Sequence, residues 1–79
     1  SYFLKGDYQT EMEMLLQALA IYERVGDSLL LAQTYSDIGT TNFQSLNMTT
    51  AMEFYQKALE LYTRLGNDEG IANSYRKLG

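Results

Sequence analysis

The sequence predicts an all-α protein in which antiparallel helix pairs repeat and stack into a right-handed solenoid. The first observation behind this prediction is an internal repeat: Gly26 and Gly66 lie 40 positions apart, and many flanking residues match at the same offset. A fixed period in this range is typical of stacked-repeat proteins. The second is that apolar residues recur every three or four positions, without the alternation of a strand. The matching pairs include Phe3 and Phe43, Met12 and Met52, Ala18 and Ala58, Leu19 and Leu59, Tyr22 and Tyr62, Ala32 and Ala72, Tyr35 and Tyr75, and Gly39 and Gly79.

The first predicted helix ends early in the chain. Residues 1–5 are predicted to be the tail of a helix that is interrupted at Gly6 and Asp7. Glycine suits the left-handed backbone position after a helix, and aspartate can cap the helix that follows. Residues 8–25 then place apolar side chains on one face, and a second glycine-aspartate pair, beginning at Gly26, ends that helix.

Three further helical segments follow. Residues 28–45 again show helical spacing, and the next break, Leu46 and Asn47, lacks glycine. We therefore expect a different backbone in this turn, with Asn47 available as a cap. Residues 48–65 carry apolar residues spaced four and three apart, the seam by which one helix packs on another. Residues 68–79 begin another helix, and short breaks make successive helices antiparallel.

These segments form a single repeat domain over residues 1–79. The chain has no initiator methionine, and its first and last segments are incomplete helical patterns, so we expect it to be part of a longer array. Stacked repeats usually need about three units and polar end caps. We divide the chain into a partial unit (1–25), a complete unit (28–65) and the first helix of the next unit (68–79).

Composition and charge argue against several classes of function. The 79 residues include no cysteine and no histidine, and they carry a formal net charge of −4. Nucleic acids and anionic membranes are bound through clustered lysine and arginine, so neither is expected as a partner. No segment approaches the run of about 20 apolar residues that spans a bilayer, and we expect a cytoplasmic protein. Without histidine or cysteine, zinc sites and histidine-based triads cannot be built, and we expect no metal or cofactor.

Two pairs of acidic residues are the candidates for acid-base catalysis: Glu11 with Glu13, and Glu53 with Glu60. Glu53 and Glu60 lie two turns apart on one helix face, but that face is predicted to be solvated. Nothing nearby would raise the pKa of a carboxyl group. A solvated surface is the better interpretation, and the chain is predicted not to be an enzyme.

The chain resembles the tetratricopeptide repeat family over its whole length. That family's first helix carries a large residue followed by leucine-glycine and tyrosine, and its second helix carries alanine, an aromatic residue and alanine. The turn motif glycine-aspartate-tyrosine is present at residues 6–8, and residues 55–61 read like the family's second helix. The residues that carry the signature of the repeat are Ala32, Tyr35, Ile38, Gly39, Ala51, Tyr55, Ala58 and Tyr62.

The chain departs from the family's usual unit of about 34 residues. Thr63 stands where a proline would end the second helix, Glu11 occupies a small-alanine position, and Asn42 replaces the usual tyrosine. We expect looser packing near Glu11. The 40-residue unit is similar to those of bacterial sensor kinases, transcription regulators and peptide-responsive regulators, and to those of adaptor proteins that orient the mitotic spindle.

The resemblance implies a scaffold that binds a protein or peptide on the concave face formed by the first helix of each pair. In residues 28–45 this face is rich in amides and hydroxyls, which suit hydrogen bonds to a peptide backbone. A solvated polar face is the alternative. The predicted contact residues are Gln33, Ser36, Asp37, Thr40, Phe43, Gln44, Asn73, Arg76 and Lys77.

Two other functions stay open. The array could be a sensor that binds a small peptide and passes a change of curvature to an effector domain of a larger signalling protein. It could also be a self-association module, because the helix that begins at Asp68 lacks the second helix of its pair.

Recurring residues are assigned to packing. Gly39 would let a neighbouring helix approach closely. The methionines are interpreted as core filling, because Met12 and Met52 are repeat equivalents. Tyr35 and Tyr75 are also repeat equivalents, so they are expected in similar surroundings.

Overall fold

The computed structural model describes residues 5–79, with side chains from Asp7 onward, and this part of the chain forms four helices and no strand. They are α1 (Lys5–Val25), α2 (Ser28–Gln44), α3 (Met48–Leu65) and α4 (Asp68–Leu78). The prediction of an all-α helical repeat is confirmed. The expected helix end at residues 1–5 lies outside the described residues, apart from Lys5. None of these four helices has the length and apolar character needed to cross a membrane.

The predicted break at Gly6 and Asp7 is wrong, because α1 starts at Lys5 and continues through both residues. A glycine inside a helix costs only about 1 kcal/mol relative to alanine, which a helix of 21 residues can offset. Asp7 lies in the first turn of α1, where a negative charge interacts favourably with the amino end of the helix dipole.

The three turns share one backbone conformation at intervals of 20 residues. Gly26, Leu46 and Gly66 have φ angles of 79°, 65° and 66°. The expectation of a different backbone at Leu46 is therefore wrong: leucine adopts the left-handed conformation that glycine adopts at the other two turns. The helices α1, α2 and α3 each close with a hydrogen bond that reaches back five residues, as in the Schellman motif. These bonds run from the amides of Asp27, Asn47 and Asn67 to the carbonyls of Tyr22, Asn42 and Tyr62, at 3.1, 2.8 and 3.0 Å.

The residues after these turns occupy the N-cap positions of α2, α3 and α4. Asp27 caps α2, since its carboxylate accepts from the Leu30 amide at 3.0 Å, and Asn67 caps α4 by accepting from the Gly70 amide at 2.8 Å. Asn47 makes no such bond with its side chain. The cap expected of it is therefore absent, and its amide contributes to a contact with α1 instead.

The apolar core lies where α2 packs on α3. Gly39 of α2 makes this close approach possible, because a Cβ atom there would stand 2.6 Å from the ring of Tyr55. Small residues predominate at the interface, so the two backbones lie close together. The buried apolar residues are Ala32, Ile38, Ala51, Tyr55, Ala58, Leu59 and Tyr62.

A second glycine contact joins α3 to α4. A Cβ atom on Gly70 would overlap the ring of Tyr62, so this glycine lets α4 lie directly against the ring. Tyr62 of α3 therefore contacts both neighbouring helices, since it also packs against α2 in the core with Ala32 and Ala58. The sequence repeat does not predict this contact, because the residue equivalent to Gly70 in the preceding repeat is Leu30 and not a glycine.

The contact between α1 and α2 is polar by comparison. Asn42 of α2 is fully buried, and its Oδ1 accepts from the Tyr8 hydroxyl at 2.9 Å and from Asn47 Nδ2 at 3.3 Å. Its Nδ2 donates to the Ile38 carbonyl at 2.8 Å. From Asp7 to Val25, α1 has no fully buried side chain. Glu11 is exposed, in line with the looser packing expected there.

Two packing expectations are wrong. Tyr35 is half-buried with its ring centre 6.1 Å from that of Phe54, whereas Tyr75 is 62% exposed. These surroundings differ because α3 covers Tyr35, and the 79 residues include no later helix to cover Tyr75. The methionines do not fill the core: Met12 is half-buried, and the other three, Met14, Met48 and Met52, are exposed.

Candidate functional site

A groove of about 810 Å³ lies between α2 and α4, with α3 as its floor. Its walls are set by the repeat. Gln33, Ser36 and Asp37 lie on one face of α2 at helical spacing, and their equivalents 40 positions later lie on α4. The two sets of equivalents therefore face the same space. Six predicted contact residues line the groove: Gln33, Ser36, Asp37, Asn73, Arg76 and Lys77.

Three predicted contact residues lie outside this groove. Thr40 is half-buried and shares a hydrogen bond of 3.0 Å with the Tyr55 hydroxyl, so its side chain is occupied within the protein. Phe43 and Gln44 are exposed near the end of α2. Of the predicted amide and hydroxyl contacts on α2, only Gln33 and Ser36 therefore line the groove.

The two cations of the groove are engaged by the protein. Arg76 Nη2 donates to Asn73 Oδ1 at 3.0 Å, one turn away on α4. Lys77 Nζ lies 5.7 Å from the centre of the Tyr55 ring and 3.5 Å from Thr40 Oγ1. A cation over an aromatic face is attracted to its π electrons, which holds Lys77 toward α2 and α3.

The groove has one acidic residue on each of its two walls. Asp37 lies on α2 and Glu69 on α4, and both line the groove. Burial raises the pKa of Asp37 above its ordinary value of 3.8, the nearby Lys77 lowers it, and Glu11 raises it again. The net shift is upward, so the positive charge of Lys77 compensates only part of the desolvation of the carboxylate.

Tyr62 forms part of the groove floor. The sequence predicts only a packing role for this residue. It is 5% exposed. Burial raises the pKa of its hydroxyl above 10.0, and the charges of Asp37 and Glu69 raise it further. Its hydroxyl therefore lies in the field of acids on both walls. The sequence carries no signal for this, because a tyrosine at a packing position predicts a buried ring but not where its hydroxyl points.

A family model described as the tetratricopeptide repeat matches residues 1–64. No curated protein and no solved structure matches the chain.

Proposed function

Because the chain belongs to the tetratricopeptide repeat family, we propose that it binds a partner protein or peptide, without catalysis, in the groove between α2 and α4. Repeats of this family generally mediate interactions between proteins. In this proposal α2 and α3 form the complete unit, α1 is the second helix of the unit before it, and α4 is the first helix of the unit after it.

The observation that carries the proposal is that equivalent residues of two repeats line one groove. Gln33 and Asn73 place an amide on each wall of the groove. Amides both donate and accept hydrogen bonds, so opposed amides suit the alternating N–H and C=O groups of a peptide backbone. The groove volume of about 810 Å³ is within the ordinary range of ligand sites.

A peptide screen tests this proposal. The chain is incubated with an immobilised library of random hexapeptides, and the enriched sequences are resynthesised and titrated by fluorescence anisotropy. We expect the double variant Gln33→Ala/Asn73→Ala to bind about tenfold more weakly, as expected for the loss of two hydrogen bonds.

The matched control removes two exposed amides outside the groove, in the double variant Gln17→Ala/Gln56→Ala. This variant should bind the peptides as the unchanged chain does. Equal losses in the two double variants, or no enrichment of any peptide, would contradict the proposed groove.

A second candidate function is self-association through α4, favoured by the exposure of Tyr75 at 62%. The equivalent face of α2 is covered by α3, so a second copy that supplied a helix would complete the pair. Light scattering across a range of concentrations tests this candidate. Reversible dimers that the Tyr75→Ser variant abolishes would support it, whereas a monomer at every concentration would contradict it.

A further inference from the structure

We propose that the groove receives a basic side chain of the bound peptide, arginine in preference to lysine, between Asp37 and Glu69 and next to the Tyr62 hydroxyl. This inference depends on the proposed function and adds to it the chemistry of the ligand. Three separate observations on the groove support it: its acids form no ion pair, its cations are engaged elsewhere, and two of its hydroxyls make no hydrogen bond.

The acids lack partners. Neither Asp37 nor Glu69 accepts a hydrogen bond from the side chains described, those of residues 7–79, or forms an ion pair with them. They stand on opposite walls of one groove, α2 and α4, and both raise the pKa of the Tyr62 hydroxyl on its floor. Two unpaired carboxylates around a concave site attract a cation, and low-dielectric walls strengthen that attraction.

The cations of the groove do not fill that role. Arg76 is bonded to Asn73 on its own helix, and Lys77 is held by Thr40 and by the ring of Tyr55. Lys77 lowers the pKa of Asp37 but does not cancel the effect of burial. The cations of the chain therefore stabilise the ionised Asp37 carboxylate only in part.

Two unpaired hydroxyls that open onto the groove are a separate observation that points to a ligand. Ser36 and Tyr62 are 7% and 5% exposed, and both line the groove. Within the part of the chain that the structure describes, neither hydroxyl makes a hydrogen bond. Among the described residues, Ser45 Oγ is the only enclosed side-chain oxygen without a partner, so the hydroxyls of Ser36 and Tyr62 open onto the groove, where a ligand can reach them. A ligand rich in donors would pair with both oxygens and with the two carboxylates together.

The guanidinium group fits this set of acceptors best. It presents five donors in a planar fork and no acceptor, and it stays charged at all accessible pH values. Bidentate pairing with a carboxylate adds geometric specificity that the ammonium of lysine lacks. The net charge of −4 on the chain also favours the approach of a basic peptide.

The test uses the hexapeptide library described above and the 79-residue chain. We expect the enriched peptides to share an arginine. In the tightest binder, that arginine is replaced by citrulline, which keeps the shape and removes the charge. We expect affinity to fall about tenfold with citrulline and less with lysine, as for the loss of a charge-assisted bidentate pair.

Variants of the chain locate the site. Asp37→Asn and Glu69→Gln should each weaken the arginine peptide about tenfold, while the citrulline peptide should bind both variants as it binds the unchanged chain. Tyr62→Phe keeps the ring in the core and should cost about threefold, the effect of one hydrogen bond. Asp68→Asn is the matched control, because it removes a neighbouring exposed carboxylate outside the groove.

The outcomes separate this inference from the proposed function. Peptides enriched in aspartate or glutamate, or arginine peptides indifferent to Asp37→Asn and Glu69→Gln, would overturn the basic side chain and leave the groove intact if Gln33→Ala/Asn73→Ala still weakens binding. An unenriched library would overturn both. Circular dichroism melts of each variant show whether a loss of binding is a loss of folding.

Discussion

The two interfaces of α2 differ in kind, although the helices that form them are repeat equivalents. Toward α3, the helix packs Ala32 against Tyr62 and Gly39 against Tyr55, with no room for a further carbon atom at Gly39. Toward α1, it relies on the hydrogen bonds of Asn42 with Tyr8 and Asn47. This difference shows that a sequence repeat specifies the order of the helices. The residues at each contact determine how stable the interface between two helices is.

The largest effect should come from emptying the core at Ile38, which is completely buried. Ile38→Ala should destabilise the chain by about 2–5 kcal/mol, because it removes buried methyl groups and leaves a cavity. Ile21→Ala on α1 is the matched control, since Ile21 is 45% exposed. Thermal unfolding measures both changes, and equal costs would contradict the difference in burial between the two isoleucines.

Overfilling the α2–α3 core should have the next largest effect. Ala58 is fully buried in the α2–α3 core, and its repeat equivalent Ala18 is half-buried on α1. Ala58→Leu should cost about 1–3 kcal/mol through overpacking, and Ala18→Leu should cost less. Urea denaturation of the two variants compares the same substitution at the two sites. A smaller loss at Ala58 than at Ala18 would contradict the account of the packing.

The turns offer a change that stabilises. Leu46 holds a left-handed backbone with its side chain 77% exposed, so replacing it loses little packing. Leu46→Gly should stabilise the fold by about 1 kcal/mol, the strain of a side chain in that conformation. Gly66→Leu, at the equivalent turn, should destabilise by a similar amount. A loss of stability in the Leu46→Gly variant, seen as a lower melting temperature, would show that the leucine side chain contributes contacts of its own.

The smallest effect is the dependence of stability on pH at Asp37, whose pKa is raised in the folded chain. The folded state then binds a proton more readily than the unfolded one, so this group's contribution to stability falls as pH rises from 3.8 through the raised value. Asp37→Asn should remove that fall, and Lys77→Met should raise the pKa further. Carbon-detected NMR titration of the Asp37 carboxyl group measures its pKa in the unchanged chain and in the Lys77→Met variant. A pKa below 3.8 in the unchanged chain would reverse the sign.

The helices could be predicted because helical periodicity and turn residues act locally. The walls of the groove followed for the same reason, since Gln33 and Asn73 are equivalent positions on equivalent helices. The left-handed Leu46 could not be foreseen, because the conformation is imposed by the helices on either side against the preference of the residue. The position of the Tyr62 hydroxyl could not be predicted either, because it depends on how α4 packs against the tyrosine ring through Gly70.

The exposure of three methionines shows a further limit. Met12 and Met52 match in sequence, and this match predicts a shared place in the core. In the structure neither is buried, because equivalent positions on α1 and α3 lie on faces that the neighbouring helices do not fully cover. A repeat in sequence therefore indicates equivalent positions more reliably than it indicates burial.

The most direct test of the account is an NMR titration of the isotopically labelled chain with the tightest peptide from the library. We predict that the largest amide shift changes fall on the groove walls, at Gln33, Ser36 and Asp37 of α2 and at Asn73 of α4, while residues 9–25 of α1 change little. Shift changes concentrated on α1, or on the α3 surface around Gln56, would contradict the assignment of the groove.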